Sequence, residues 1–185
     1  MKLKHRGKSI STEVRHSVSV ITVLLTMPVI IGLIIMIMYS TRYQAMIQRM
    51  DKAAELKPAL ENSIAEDLFS VVAGRNAFEN SGVMRKIREI DMTLDELTAE
   101  TSGNGHLQLT IARRTMETME QYALRVRDGM EERKPVVEME EVVDEVRDVG
   151  RLVANMLDNF VTEEIRNATT VSKRLHQWMW VASRS

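Results

Sequence analysis

Three arginines come first when the chain is searched for groups able to do chemistry. Arg75 falls in "AGRNAFENSG", and Arg113 and Arg114 adjoin in "ARRTMETMEQY". A guanidinium in a helical groove holds a carboxylate or phosphate through two parallel N–H bonds. The competing fate is a salt bridge to a nearby Glu, which is the commoner one for a surface arginine. Arg75, Arg113 and Arg114 are therefore the candidate ligand contacts. No catalytic constellation accompanies them. "SGNGH" lacks the preceding strand and the following Lys and Ser/Thr of a phosphate-cradling loop, and no HExxH occurs. His5, His16, His106 and His176 are scattered, and none has a His or carboxylate at metal spacing. No metal and no cofactor is expected.

The acidic run "EERKPVVEMEEVVDEVRD" fits exposed helix faces, with Asp144 and Asp148 on one side and Arg147 and Arg151 on the other. It lacks the alternating oxygens and central Gly of a calcium loop. "NAT" at 167–169 matches a glycosylation acceptor but falls inside a helical pattern. Basic residues are too few for a nucleic-acid partner.

The elements that position these residues are helical. Gly and Pro together number 11, while Met reaches 14 and Cys is absent. Few breakers favour long helices over short strands, and lack of Cys excludes disulfides and thiolate-bound metal. Net charge is −1 but unevenly spread. Residues 1–17 carry Lys2, Lys4, Arg6, Lys8 and Arg15 against Glu13, whereas residues 40–177 carry 19 Lys/Arg against 25 Asp/Glu.

Between them lies "VSVITVLLTMPVIIGLIIMIMY", 22 residues at 18–39 with no ionisable Asp, Glu, Lys, Arg or His. As a helix it spans roughly 33 Å, which matches a hydrocarbon core of about 30 Å. Ser19, Thr22 and Thr26 are its polar groups and can bond their own helix carbonyls or a neighbouring helix. Pro28 and Gly32 are tolerated in membrane helices. A cleaved signal peptide has a shorter apolar region and a small-residue cleavage site, and neither fits here. A buried soluble helix would show a polar face. The run is expected to be an uncleaved anchor in the plasma (inner) membrane. The basic tail 1–17 then lies in the cytoplasm and residues 40–177 outside it.

Beyond Tyr39 the pattern turns amphipathic, with Tyr43, Met46, Met50 and Ala53 at helical spacing. Pro58 is expected to end or kink this helix near Leu56, and a second stretch restarts with Leu60, Ile64, Leu68 and Val71. Residues 73–82 read as a loop. Val83, Ile87, Ile90, Leu94 and Leu97 form a seam spaced 4-3-4-3. "SGNG" at 102–105 stops it. A third helix, from Leu107 to about Glu132, presents Ala112, Thr115, Met119, Tyr122 and Val126. "RKPVVE" turns the chain, and a fourth helix over 139–177 presents Val142, Val146, Val149, Val153, Met156 and Phe160. Helices 2, 3 and 4 would extend roughly 28, 39 and 58 Å. Short connections predict an antiparallel four-helix bundle in an all-α fold. Lys173, Arg174, His176, Trp178 and Trp180 suit a membrane interface where a second span starts, at 178–185. The chain stops after Ser185, too soon to span, so a fragment of a longer protein is expected.

With "LFSVVAGRNAFENSG", "ARRTMETMEQYALRVRDGMEE" and "EVRDVGRLVANMLDNFVTEEIR", the chain resembles the N-terminal transmembrane and extracytoplasmic sensing region of bacterial two-component sensor histidine kinases. The resemblance covers nearly all of it. It implies a second span, a phospho-accepting His segment and an ATP-binding domain beyond these residues, so no catalytic residue of that family maps onto this chain. It implies a signal-input module that relays a stimulus by helix displacement. The partners it implies are membrane lipid, an extracytoplasmic ligand or protein, and a second copy in a homodimer. A chemoreceptor-type sensor domain and a bitopic coiled-coil tether are the alternatives. Continuation beyond Ser185 separates a sensor from a tether.

Overall fold

The computed structural model describes the backbone of residues 7–182 and the side chains of residues 15 and 18–169. The expectations for Lys2, Lys4, Arg6 and Lys8, and for Trp178 and Trp180, lie outside the described side chains. Among the described residues every regular element is helical and no strand occurs. The helices are α1 (Gly7–Pro58), α2 (Ile64–Val72), α3 (Val83–Glu100), α4 (Asn104–Glu131) and α5 (Val136–Ala182). The chain divides into two units, Met1–Ala45 and Met46–Ser185.

The first unit contains the apolar run. Within the span that begins at Val18, no residue of the most apolar window is buried. Its two threonine hydroxyls are satisfied within the helix. Thr22 Oγ1 donates to the Val18 carbonyl at 2.8 Å, and Thr26 Oγ1 to the Thr22 carbonyl at 2.9 Å. In hydrocarbon an unpaired hydroxyl would cost free energy, so these back-bonds make both threonines compatible with an apolar surrounding. By length and composition α1 can cross a membrane.

The second unit has one core, fed by every helix. Burial begins at Met46 and reaches completion at Ala53, whereas Tyr43 is exposed. Pro58 does not end the helical path. The chain passes from α1 through a π turn, Ala59–Ser63, directly into α2. Proline has no N–H to donate and its ring crowds the carbonyl four residues back; a wider turn relieves both without stopping the helix. The Ile64 N–H accordingly reaches the Ala59 carbonyl, five residues back. The face expected beyond it, Leu60, Ile64, Leu68 and Val71, is buried.

α3 buries Val83, Ile87, Ile90, Leu94 and Leu97, the seam read from spacing. α4 begins at Asn104, three residues before the expected start, because Gly103 takes φ 71° and lets the chain turn into a helix at once. Its buried residues include Leu109, Ala112, Met116, Met119, Ala123 and Val126. Thr115 and Tyr122 lie at the edge instead, so the α4 stripe is displaced by one residue from the expected one at those two positions. In α5, Val142, Val146, Val153 and Phe160 are buried as expected, while Val149 and Met156 are half-buried and Val143, Ala154 and Leu157 take the interior.

Polar contacts fix directions. His106 lies beside Thr98, and Arg113 meets Asp95 at 2.9 Å and Asp91 at 3.8 Å, so α3 and α4 run oppositely. Arg49 meets Glu164 at 2.6 Å and Lys57 meets Asp158 at 2.9 Å, so α5 runs against the body part of α1.

Candidate functional site

The three arginines singled out in the sequence occupy two places. Arg75 follows α2. Its backbone N–H closes the helix end on the Ser70 carbonyl at 2.9 Å, next to Gly74 at φ 69°, and its side chain is exposed. Arg113 and Arg114 are exposed in the middle of α4. Arg113 forms ion pairs with Asp91 and Asp95. Arg114 makes no ion pair among the described residues. The α4 residue that shares a cleft with the Arg75 loop is Arg127, and from Arg113 to Arg127 the helix advances about 21 Å.

That cleft, of about 320 Å³, is lined by Phe78, Glu79, Met84, Arg85, Arg88 and Arg127. It brings three guanidinium groups from two helices to one opening. Arg127 Nε and Nη2 both donate to Asp128 Oδ1, at 2.9 and 2.7 Å, and this bonding raises the Arg127 guanidinium above its ordinary range. Arg85 lies 4.0 Å from Glu89. Arg88 Nε donates to the Met84 carbonyl. Carboxylates therefore already answer two of the three charges. Sequence could have suggested Arg85 and Arg88, three apart on one helix; Arg127 comes from another helix and gave no local signal.

A second cleft, about 540 Å³, lies between α4 and α5 with Asp128, Glu132, Glu138, Glu141 and Glu145 against Arg125 and Lys134. The Lys134 ammonium bonds Glu132 at 2.8 Å and is raised above the usual lysine range by it. Among the described residues no group of three or more His, Asp or Glu is disposed to hold a metal ion. His106 is exposed, and its Nδ1 lies 3.0 Å from the Thr98 carbonyl. A carbonyl only accepts, so Nδ1 carries the proton and the ring ties the start of α4 to the end of α3. On α5 the charge pairs close at i,i+3, Arg147 with Asp144 and Arg151 with Asp148.

The most constrained polar contacts lie between α1 and α5. Glu164 is the one ionisable group with a buried side chain among the described residues, at 7% exposure. Its partner Arg49 has a buried Nε without a hydrogen-bond acceptor. Lys57 Nζ bonds both oxygens of Asp158 at 2.9 Å, which raises the ammonium above 10.5. Between these pairs and the far end of α5, Gly150 meets the π turn. A Cβ built on Gly150 would overlap the Leu60 carbonyl oxygen. Backbone therefore touches backbone there, and only glycine fits. None of these contacts was visible in the sequence, because each joins residues about a hundred positions apart. Compared with known proteins, the chain matches no family model, no curated protein and no solved structure.

Proposed function

We propose that the chain is the membrane-anchored sensory module of a two-component sensor histidine kinase. In this reading residues 18–39 cross a bacterial inner membrane with the basic tail in the cytoplasm. Residues 40–177 work outside it as an antiparallel four-helix bundle, and two copies form the signalling homodimer. The stimulus is an extracytoplasmic ligand or partner protein.

One observation carries the reading. The helix that bears the unburied apolar run is the same helix whose body part is coupled to α5 by two ion pairs. A stimulus that favours one packing of the body over another shifts their populations. Packed helices exchange between discrete arrangements by displacements of about 1–2 Å. A displacement of α5 against α1 is therefore a change that an output domain beyond α5 could read.

The test joins residues 1–185 to the cytoplasmic half of a histidine kinase. Lys57→Cys and Asp158→Cys are introduced and bridged by a short bis-maleimide. Autophosphorylation that rises or falls once the bridge forms is the expected result. Output unchanged by a complete bridge contradicts the proposal.

A further inference from the structure

The contact between Leu60 and Gly150 differs in kind from the rest of the α1–α5 interface. Elsewhere in the core side chains separate the helices. Val146 and Val153, one turn to either side of Gly150, are both buried. At Gly150 the π turn's Leu60 carbonyl faces α5 with no side chain between them. The π turn is itself held. Its last residue, Ser63, accepts a bond from Lys86 Nζ at 2.6 Å, and the same ammonium meets Asp67 at 2.5 Å. The point of closest approach is therefore braced from α3 and fixed in place.

Further along α5 the contacts change character. From Gly150 to Glu164 is about 21 Å of helix. There the link is the Arg49–Glu164 pair, with Glu164 desolvated and Arg49 Nε lacking an acceptor. Burying two charges costs about as much as their attraction returns, so the closed pair and an open, hydrated pair lie near one another in free energy. The other link in this stretch, Lys57–Asp158, joins two partly exposed side chains; such pairs are screened by water and yield to a small displacement, whereas side-chain knobs seated in a facing helix resist it.

We infer that the Leu60–Gly150 backbone contact is the fulcrum, and the Arg49–Glu164 pair the latch, of a tilt of α5 against the body part of α1. The π turn after Pro58 supplies the projecting carbonyl, and Gly150 supplies the space for it. The tilt leaves the helices in contact at the fulcrum and separates them at the latch. Its use as a signal rests on the sensory reading above, but its existence does not.

The chain contains no Cys, so spin labels can be placed singly in the full chain held in nanodiscs. One pair replaces Ile47 and Ile165, exposed residues beside the latch; the other replaces Asn62 and Leu152, exposed residues beside the fulcrum. Glu164→Gln keeps the side chain's shape and removes its charge. The expected result is a latch-side distance that lengthens by about 2 Å or gains a second population, with the fulcrum-side distance unchanged. Gly150→Ala is expected to do the reverse and lengthen the fulcrum-side distance. An unchanged latch-side distance in Glu164→Gln overturns the latch. Equal lengthening of both distances overturns the fulcrum. A pivot seen here together with an indifferent kinase output would refute the sensory role and leave the pivot standing.

Discussion

Residues 18–39 and residues 46–72 are both helical, yet they treat their apolar side chains in opposite ways. In the first stretch Leu24, Leu25, Met36 and Ile37 are all more than 60% exposed, and the apolar residues point in every direction. In the second, Ala53, Leu60, Ile64 and Leu68 are 1% exposed or less and share one face. The difference lies in content and pattern together: the first stretch carries no charge, whereas the second interleaves its apolar residues with charges such as Asp51, Glu55, Glu61 and Glu66. A uniform run has no single side to give to a protein core, and by length and composition it can cross a membrane. A periodic run has such a side and buries it against neighbouring helices. The hydroxyls follow the same division. Thr22 and Thr26 turn back on their own helix, while Ser63 reaches across to Lys86.

The comparison breaks most visibly by truncating each stretch's environment. Phe160→Ala empties a fully buried site and is expected to cost about 3–5 kcal/mol in denaturant unfolding followed by circular dichroism. Leu24→Ala, made in the uniform run, is expected to leave that transition within about 0.5 kcal/mol of the parent, since it removes no core contact. Ile31→Arg sharpens the contrast from the other side. It opposes membrane insertion by about 2.5–3.5 kcal/mol, read as the inserted fraction in a translocation assay, with the unfolding transition of the body unmoved. Glu164→Ala removes the pair and leaves Arg49 to hydrate in the open arrangement, and is expected to cost no more than about 1 kcal/mol.

Smaller effects separate two helix ends of like geometry. α2 closes on Gly74 at φ 69°, and α4 closes on Arg133 at φ 57°. Each end satisfies its last carbonyls through the same pair of backbone bonds, from Gly74 and Arg75 in one case and from Arg133 and Lys134 in the other. A left-handed conformation costs a residue with a Cβ roughly 1 kcal/mol. Gly74→Ala is therefore expected to destabilise the body by about 1 kcal/mol, and Arg133→Gly to stabilise it by about half that, after allowance for glycine's freedom in the unfolded chain. The smallest effect is in pH. Lys57 is raised above 10.5 by Asp158, so its contribution is complete below that value and is lost as pH rises through the higher folded value. Melting temperature should fall more steeply above pH 10.5 in the parent than in Lys57→Met.

Local chemistry made part of this legible. The α3 seam was readable to the residue because five branched apolar side chains recur at helical spacing, and Met84 and Met92 fall off that stripe. The α4 stripe was misplaced at two positions because Thr115 and Met116, and Tyr122 and Ala123, are adjacent pairs of mixed character. Periodicity cannot choose within such a pair; packing against α5 can. Pro58 was readable as a disturbance but not as a π turn, since the outcome depends on Gly150 making room for the displaced carbonyl. The Arg49–Glu164 pair was invisible for the same reason. Each residue alone resembles any surface charge, and only the tertiary fold removes Glu164 from water. For Arg75, Arg113 and Arg114 the sequence shows only chemical type, and the fold adds their places: a helix end for Arg75 and the middle of α4 for the other two.

The central claim is that residues 18–39 lie in lipid, with the tail on one side and the body on the other. It is tested most directly by single cysteines at Ser9 and at Glu79, each probed in intact spheroplasts with a membrane-impermeant maleimide. The account predicts that the Glu79→Cys chain labels at once and the Ser9→Cys chain labels only after the membrane is permeabilised. Equal labelling of the two, or recovery of the chain in the soluble fraction, would contradict it.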